Sequence, residues 1–401
     1  MRDDVAILGA GPAGAWAAFV LARGGARVTM FDPSHPREKA CGGGVTGRAL
    51  ALVRDAVADG AFPRTVVRTA RFTAPGRPAT ATARRARGAD EGATVTLDDG
   101  ALVVASRAAF DAALVNAAAR AGARLVRARV TAVTIDAHGV TLDTGSDRFT
   151  ADVVVGADGA NSLLRRRVAA PFRRDQLSIA TGFFAHGATS DEIVIELIAN
   201  PPGYIWLFPR PDHLAIGICA QADSGITVDT LRQMTAAWIE KTGLARGATL
   251  QPYSWPIPSL GEQDFRDLAL AGRRWCLVGD AAGLVDPITR EGIFFALASA
   301  QWAADALGGD GDLSMYASRV RDEAVPELAR AAQLKAVFFR PAFTALMMDA
   351  LQQSRAVREV MADLVAGRQP YATLRWRLLK TFELGLAYRA IVNARNIRLA
   401  L

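Results

Sequence analysis

Hydrophobic and polar positions at the start of the chain predict alternating strands and helices. Residues 4–8 form a short apolar run, a glycine-rich turn follows, and residues 15–23 have the alanine-rich pattern of a helix. Residues 27–31 predict a second buried strand, which ends at Asp32. A strand, a glycine turn, a helix and a strand in this order are typical of the first unit of a Rossmann-type domain in the α/β class.

The pattern changes twice further along the chain. Strand signals dominate residues 61–100 and again from about 176 to 260, whereas the pattern is helical throughout beyond about residue 312. The predicted strands are 66–73, 79–83, 93–97, 151–157, 192–198, 204–209, 214–220 and 275–279, the predicted helices are 106–121 and 292–307, and a hairpin is predicted over 130–135 and 140–142.

This alternation predicts an interrupted domain. A chain of 401 residues is long enough for two to three domains, at roughly 150 residues each. We expect a Rossmann-type nucleotide-binding domain, a β-rich substrate domain inserted into it, and a C-terminal helical region. The predicted boundaries are 1–60, 101–172 and 266–311 for the first, 61–100 and 173–265 for the second, and 312–401 for the third.

Composition and charge exclude several classes of protein. Hydrophobic residues make up 51% of the chain and charged residues 22%, which excludes a disordered chain. No apolar run reaches the roughly 18 residues of a membrane helix. Three cysteines and four scattered histidines predict neither a metal site nor a disulfide framework, and they favour a reducing, cytoplasmic setting. The net charge of +7 is concentrated in residues 351–401, which argues against nucleic-acid binding by the main body.

The first glycine-rich turn predicts a dinucleotide site. It reads Gly9-x-Gly11-x-x-Gly14, with Pro12 and Ala13 inside it. The first glycine permits the tight turn, the second allows a pyrophosphate to approach the backbone, and the third packs helix on strand. The helix N-terminus then faces the phosphates. Asp32 stands where an acid binds the ribose hydroxyls of such a ligand.

Two downstream segments identify the dinucleotide. Residues 151–159 (ADVVVGADG) and 275–287 (WCLVGDAAGLVDP) resemble the later signatures of FAD-dependent hydroxylase-type flavoproteins. Each places an aspartate, Asp158 or Asp280, after a buried strand, where α/β sheets bind ligands. The resemblance implies FAD as the cofactor, Asp280 near its ribityl hydroxyls, and a holding role for Arg107.

Three segments resemble the geranylgeranyl reductase family of flavoproteins. They are EKACGGG at 38–44, GYIWLFPR at 203–210 and GDAAGLVDPITREGI at 279–293, and residues 363–374 are similar to that family's helical tail. Members reduce isolated double bonds of prenyl chains on lipids, chlorophyll precursors or quinones. The resemblance adds further residues to the cofactor site, namely Cys41, Gly42, Gly43, Val130, Gly283, Pro287, Gly292 and Ile293.

The resemblance also implies a chemistry. An isolated alkene needs a hydride from flavin N5 and a proton at the neighbouring carbon, in a channel that excludes water. Cys41 is the candidate for the acid or for substrate positioning; alternatively it is only a small residue that fits a glycine-rich loop. Tyr204, Trp206 and Phe208 alternate along one strand and form either a substrate-binding aromatic wall or ordinary core.

Two positions depart from the family pattern. Ala40 replaces the usual proline before the cysteine, and Arg290 replaces the first glycine of P-x-T-G-E-G-I. Gly292 and Ile293 match, so the following helix is expected to direct its positive end at the flavin and to stabilise its reduced form. The side chain of Arg290 either adds a charge at the flavin or turns to solvent, and the sequence favours neither.

The basic tail has two interpretations. Its apolar stripe and off-stripe cations suit a peripheral contact with anionic lipid, but the favoured interpretation is a helix packed on the protein body. The stripe consists of Leu374, Leu378, Phe382 and Leu386, and the cations are Arg375, Lys380 and Arg389.

The leading hypothesis is an FAD-dependent reductase of prenyl or similar hydrophobic alkenes. A flavin monooxygenase or halogenase on the same fold is the alternative hypothesis, and a non-catalytic flavoprotein is the third. No second glycine fingerprint follows a strand, so the electron donor is expected to be external: NADPH, a ferredoxin or a quinol. The expected partners are therefore this donor and a hydrophobic small molecule, without nucleic acid, and a membrane surface is a partner only under the first interpretation of the basic tail.

Overall fold

A computed structural model describes residues 3–74 and 92–381. Within these ranges the strands are β1 (Asp3–Leu8), β2 (Val28–Phe31), β3 (Gly44–Thr46), β4 (Arg64–Val66), β5 (Thr69–Thr73), β6 (Ala93–Thr96), β7 (Leu102–Ala105), β8 (Arg124–Val126), β9 (Ala132–Ile135), β10 (Val140–Asp143), β11 (Arg148–Gly156), β12 (Leu177–His186), β13 (Glu192–Ala199), β14 (Pro202–Pro209), β15 (His213–Gln221), β16 (Thr249–Pro258), β17 (Ala271–Gly272) and β18 (Trp275–Leu277).

Helices cover most of the remaining described chain. They are α1 (Pro12–Arg23), α2 (Gly47–Val53), α3 (Arg107–Arg120), α4 (Leu163–Val168), α5 (Val228–Thr242), α6 (Glu262–Arg266), α7 (Ile293–Gly308), α8 (Leu313–Glu323), α9 (Val325–Phe338), α10 (Pro341–Gln353), α11 (Arg355–Val365) and α12 (Tyr371–Leu379). In the described ranges, none of these helices is both long and apolar enough to span a bilayer.

Sheet 1 is the Rossmann-type sheet. Its order is β17-β18-β11-β1-β2-β8, and the hairpin β9–β10 extends it beside β11. Strands β18, β11, β1, β2 and β8 run parallel, with Leu8 in register with Phe31 and with Gly156, and Gly156 in register with Leu277. The residues that follow these strand ends therefore meet at one edge, which we call the carboxyl edge.

Sheet 2 forms the β-rich layer. Its order is β16-β12-β15-β14-β13-β5-β6, antiparallel except between β13 and β5. Side chains alternate across β14, so Ile205 and Leu207 pack in the cluster that contains Trp238 of α5, whereas Trp206 lies on the opposite face. Sheet 3 is small and joins β3, β7 and β4.

The C-terminal helices cover part of sheet 2. Phe338, Met348, Leu351 and Met361 share one buried cluster with Ile193 of β13 and with β5 and β6. This packing attaches α9, α10 and α11 to the face of sheet 2 that also carries Trp206.

The structure confirms the α/β fold class, with a Rossmann-type parallel sheet, a β-rich layer and a helical C-terminal region. The domain boundaries given above stay a prediction. The strand predicted at 275–279 ends earlier, because Gly279 begins a short 3-10 turn with φ +54°. The strand predicted at 79–83 and the tail residues Phe382, Leu386 and Arg389 lie outside the described residues.

Helix α5 was not predicted, although it carries its own signals. Thr227 caps it by accepting a hydrogen bond from the Thr230 amide, and Gly243 ends it in the left-handed conformation. Leu231, Thr235 and Trp238 are buried at helical spacing. Strong strand patterns on both sides concealed this single helix.

Candidate functional site

A cavity of about 750 Å³ lies between the carboxyl edge of sheet 1 and one face of sheet 2. At the carboxyl edge its walls are backbone turns and charged side chains. On sheet 2 and the C-terminal helices its walls are apolar, and they include Phe338, Met361 and Leu364. Of the predicted site residues, it is lined by Gly9, Gly11, Pro12, Ala13, Asp32, Cys41, Gly42, Gly43, Arg107, Val130, Asp158, Tyr204, Trp206, Phe208, Asp280, Gly292 and Ile293.

Steric contacts separate the roles of the three glycines in the first turn. A Cβ atom on Gly14 would lie 1.9 Å from the Gly9 carbonyl oxygen, and one on Gly9 would lie 2.4 Å from the Ala157 oxygen. These two glycines therefore pack backbone against backbone. A Cβ atom on Gly11 would meet no atom closer than 4.0 Å, so this side of the helix α1 N-terminus is open to a ligand.

Asp32 is held ionised at the end of β2. Its carboxylate accepts hydrogen bonds from the Ala10 amide at 3.0 Å and from the Ser34 amide and hydroxyl at 2.9 Å each. Burial alone would raise the pKa of this carboxyl, but these donors hold it below its ordinary value. The structure thus places an anionic acceptor beside the glycine turn.

One of the two carboxylate oxygens of Asp158 accepts no hydrogen bond from the described residues. Its Oδ2 accepts from the Leu163 amide at 2.6 Å, whereas Oδ1 is buried without a hydrogen-bond partner among the described residues. Burial raises the pKa of this carboxyl. A buried oxygen on the cavity wall with no protein donor fits a site that binds a hydroxyl-bearing cofactor.

Asp280 forms an ion pair that the sequence did not predict. The Lys39 ammonium lies 2.8 Å from its carboxylate, and both side chains are mostly buried on the cavity wall. Burial would raise the pKa of Asp280, but the charge of Lys39 keeps it below its ordinary value. Lys39 is the residue before Ala40 in EKACGGG, so the motif carried the signal. The ribityl contact predicted for Asp280 stays a prediction.

The segment 38–44, which we call the cysteine loop, is clamped from two sides. On one side, the Glu38 carboxylate accepts hydrogen bonds from the Ser106 hydroxyl and the Arg107 amide at the start of α3. On the other side, Arg210 pairs with Glu38 and donates to the Cys41 carbonyl at 2.8 Å. Arg210 is 1% exposed whereas the Glu38 side chain is partly exposed, so this ion pair joins the interior end of sheet 2 to the loop.

The thiol of Cys41 faces a fixed cation. Arg107 donates from Nη1 to the sulfur at 3.8 Å, and its other nitrogens bind the two oxygens of Asp111 at 2.8 Å each. Burial lowers the pKa of Arg107, but the Asp111 carboxylate more than compensates and raises it above its ordinary value. Cys41 is half-buried, whereas Cys219 and Cys276 are buried.

Tyr204, Trp206 and Phe208 of β14 form an aromatic wall on the cavity. The rings of Tyr204 and Trp206 are 5.9 Å apart, and the Tyr204 hydroxyl donates to the Thr289 carbonyl at 3.0 Å. Trp206 lies flat because its partner on β15 is Gly217, where a Cβ atom would be 2.4 Å from the indole. Phe208 packs on Gly42, so the wall contacts the cysteine loop.

Three residues assigned to the cofactor do not line the cavity. They are Gly14, Gly283 and Pro287. Gly14 packs α1 on the turn, and Gly283, with φ +85°, faces Leu260 and Phe172. Gly292 instead lies at the N-terminus of α7, where a Cβ atom would be 3.2 Å from the Asp280 carboxylate. The positive end of α7 therefore lies at the cavity, and its predicted contact with the flavin stays a prediction.

Arg290 turns neither to solvent nor to Asp280. Its backbone has φ +61°, and every other described residue with positive φ is a glycine. Its guanidinium donates to the Ser259 hydroxyl and the Pro287 carbonyl, and its side chain lines the cavity. The Nε atom is buried without a hydrogen-bond partner in the described part of the chain.

The comparisons with known proteins agree with this geometry. A family model described as an FAD binding domain matches residues 2–307. A geranylgeranyl diphosphate reductase of Rhodobacter capsulatus is 28% identical over 319 residues, which cover 76% of this chain and 75% of the relative. A menaquinone reductase of Mycolicibacterium smegmatis is 31% identical over 339 residues, or 77% of each chain.

Solved structures show the same fold. A geranylgeranyl bacteriochlorophyll reductase-like protein from Thermoplasma acidophilum superposes with a TM-score of 0.77 at 22% identity, over 95% of this chain and 99% of the other. A flavin-dependent brominase has a TM-score of 0.70 at 20% identity, with 95% and 99% covered. At these identities the two likenesses establish the fold alone.

Proposed function

Because this chain belongs to the geranylgeranyl reductase family of FAD-dependent oxidoreductases, we propose that it hydrogenates isolated double bonds of a prenyl or similar hydrophobic substrate. Bound FAD, its cofactor, supplies the hydride from N5. One observation carries the proposal: a single cavity runs from the carboxyl edge of sheet 1 to the aromatic wall of sheet 2. An alkene that enters along this wall leaves water for an apolar surface.

The predicted cofactor residues would contact different parts of FAD. The backbone N–H groups at the α1 N-terminus, such as those of Gly11 and Ala13, would donate to the pyrophosphate, and Pro12, which has no N–H, begins the helix there. Asp32 accepts from the adenosine ribose, and the free oxygen of Asp158 accepts from a further hydroxyl. Arg107, Asp280, Gly292 and Ile293 line the part of the cavity beside the cysteine loop and α7, and Val130 lines it elsewhere.

Cys41 delivers the proton in this proposal. Bound FAD would supply a hydride to one alkene carbon, and the Cys41 thiol would give its proton to the neighbouring carbon, so that the π bond is replaced by two C–H bonds. The thiolate that remains lies beside the Arg107 guanidinium, which stabilises its charge until a proton returns from solvent. The electrons for each turnover would come from an external donor: NADPH, a ferredoxin or a quinol.

Anaerobic turnover tests the proposal. The holoenzyme, supplied with dithionite, should convert a geranylgeranyl compound into products that are heavier by two hydrogens for each reduced bond, as measured by mass spectrometry. A Cys41→Ser variant should bind FAD normally and lose most of the rate, since a hydroxyl is a far weaker acid than a thiol. If the wild type is inactive until oxygen is admitted, the chain is a monooxygenase or halogenase instead.

Association with a membrane surface is a second, separable proposal. Helix α12 has no buried residue, and Trp376 and Leu379 are 66% and 51% exposed beside Arg375 and Lys380. Exposed aromatic and basic side chains on one short helix suit the surface of an anionic bilayer. The full-length protein should float with vesicles that contain anionic lipid, and a chain truncated after 370 should not. Equal failure of both to float contradicts the proposal.

A further inference from the structure

The apolar face of sheet 2 ends in a polar row. Trp255, Ala180, Cys219 and Tyr204 lie in cross-strand register and line the cavity. Further along the same strand faces, Ser178 lies two residues from Ala180 and Gln221 lies two residues from Cys219. On the neighbouring strand, Ser259 lies two residues beyond Ile257. The hydroxyls of Ser178 and Ser259 both contact the Gln221 side-chain oxygen, at 3.4 and 3.2 Å.

Two cations converge on this row from different elements. Arg290 donates to the Ser259 hydroxyl from the loop before α7. Lys335 of α9 donates to the same hydroxyl at 3.0 Å, and it also contacts the Ser259 carbonyl and the Gln221 side chain at 3.3 Å each. One neutral hydroxyl therefore joins two half-buried positive charges.

Among the described residues, neither of these charges forms a side-chain hydrogen bond with a carboxylate. Every oxygen that receives their hydrogen bonds is a hydroxyl, amide or carbonyl oxygen. Asp223 and Asp264 act on Lys335 only at longer range. Burial, followed by the charge of Arg290, lowers the pKa of Lys335 to about 8, so the ammonium still predominates at pH 7. Two like charges held together in this way favour the binding of an anion.

The backbone of Arg290 supports a specific role for this side chain. A positive φ is strained for a non-glycine residue, and such strain is most often retained at functional positions. The family pattern has glycine here, which adopts this conformation freely. This chain carries the strain together with a guanidinium that lines the cavity.

We propose that Arg290, supported by Lys335, binds the anionic end group of the substrate, a phosphate or carboxylate attached to the hydrocarbon chain that the aromatic wall receives. The inference rests on the proposed function, since it assigns a class of substrate to the same cavity. It adds that amphipathic anions, rather than neutral prenyl alcohols or quinones, are the preferred ligands of this chain.

Equilibrium dialysis of the oxidised, FAD-loaded protein tests this inference without turnover. Geranylgeranyl diphosphate and geranylgeraniol share one hydrocarbon chain, and bound FAD occupies the pyrophosphate site of the cofactor. The wild type should bind the diphosphate about tenfold or more tightly than the alcohol. Arg290→Gly relieves the backbone strain and removes the charge, so it should fold well, keep its affinity for the alcohol and lose this preference.

Further variants and a competitor make the outcome specific. Arg290→Lys should retain part of the preference and Lys335→Met should reduce it, whereas Lys241→Met, the same change on the exposed end of α5, should leave it intact. Inorganic diphosphate should compete roughly a hundredfold more weakly than the lipid, because it lacks the chain. Competition as strong as the lipid's would indicate a free-anion site and overturn the assignment of an end group.

Two results would contradict the inference in distinguishable ways. Equal affinity of the wild type for both ligands, or a preference that survives in Arg290→Gly, overturns the anion site and leaves the reductase proposal standing. Failure of the wild type to bind either ligand contradicts the proposed function and this inference together.

Discussion

The two sides of the cavity are built by different means. At the carboxyl edge of sheet 1, backbone turns form the wall, and contacts such as the 1.9 Å from a Gly14 Cβ to the Gly9 oxygen leave no choice of residue. On sheet 2, side chains such as Trp206 form the wall, and other side chains of similar shape would also fill the space. The first side therefore fits a cofactor common to many proteins, whereas the second is the proposed substrate side of this chain.

The largest effect is expected from Gly14→Ala. The added methyl group cannot avoid the Gly9 carbonyl, so α1 must shift, at a cost of about 3 kcal/mol in the free energy of unfolding. Thermal unfolding of the apoprotein should show this loss. Gly11→Ala is the matched control on the same turn, because its methyl group points into open space. It should leave the apoprotein stable and weaken FAD binding; equal destabilisation by both variants would refute the division of roles.

The next effect concerns Arg210, which joins the two sides. Arg210→Met removes the buried guanidinium that pairs with the partly exposed Glu38 carboxylate, and it should cost about 2 kcal/mol of stability. Alkylation of Cys41 should become several-fold faster, since the loop loses its contact to the Cys41 carbonyl. Arg274→Met, which removes contacts to two backbone carbonyls away from the cavity, is the control and should leave the alkylation rate unchanged.

The same ion pair predicts a pH dependence. Burial would raise the pKa of Glu38, but Arg210 and the α3 donors hold it below the ordinary 4.5. Its stabilising contribution is therefore complete above about pH 4.5 and is lost as the pH falls through the lowered value. Wild-type stability measured from pH 6 to pH 3 should decrease more steeply than that of Arg210→Met; parallel curves would show that the pair contributes nothing.

A smaller and more selective effect is expected on the aromatic wall. Trp206→Ala should raise KM for a prenyl substrate about tenfold, which corresponds to about 1.4 kcal/mol, and should leave FAD affinity unchanged. Ile205→Ala, on the opposite face of β14, should lower stability without altering KM. If Trp206→Ala also releases FAD, the two sides of the cavity are not independent.

The smallest effect is expected at the flavin itself. The Arg290 guanidinium is directed at Ser259 and Pro287, not at Asp280 or Lys39. Arg290→Gly should therefore leave the flavin reduction potential unchanged, as measured by xanthine oxidase titration. A lower potential in the variant would show that this charge acts on the cofactor.

The success of the sequence-based predictions also differs between the two sides of the cavity. The turn at Gly9, Gly11 and Gly14 and the acids Asp32, Asp158 and Asp280 were found because each directly follows a buried strand, and parallel register brings strand ends together. Steric demands on a turn are local, so they leave a pattern that one segment can show. The sequence also predicted that α7 begins at Gly292.

The contacts between distant segments were not predictable. Lys39 pairs with Asp280 across 241 positions, Arg210 reaches the cysteine loop, and Lys335 meets Arg290 through Ser259. Such pairs depend on how sheet 2 and the C-terminal helices pack on sheet 1, and side-chain packing carries no short motif. Glu38, Lys39 and Arg210 nevertheless lie inside the two most family-specific motifs, which was the available signal.

We propose that the carboxyl edge of sheet 1 and the aromatic wall of sheet 2 belong to one cavity that serves alkene reduction. Stopped-flow mixing of the fully reduced holoenzyme with a geranylgeranyl compound, without oxygen, tests it most directly. We expect the absorbance of oxidised flavin to return at the same rate as the alkene is saturated. The Trp206→Ala variant should need a higher substrate concentration to reach the same rate. Flavin that stays reduced at saturating alkene until oxygen is admitted would contradict it.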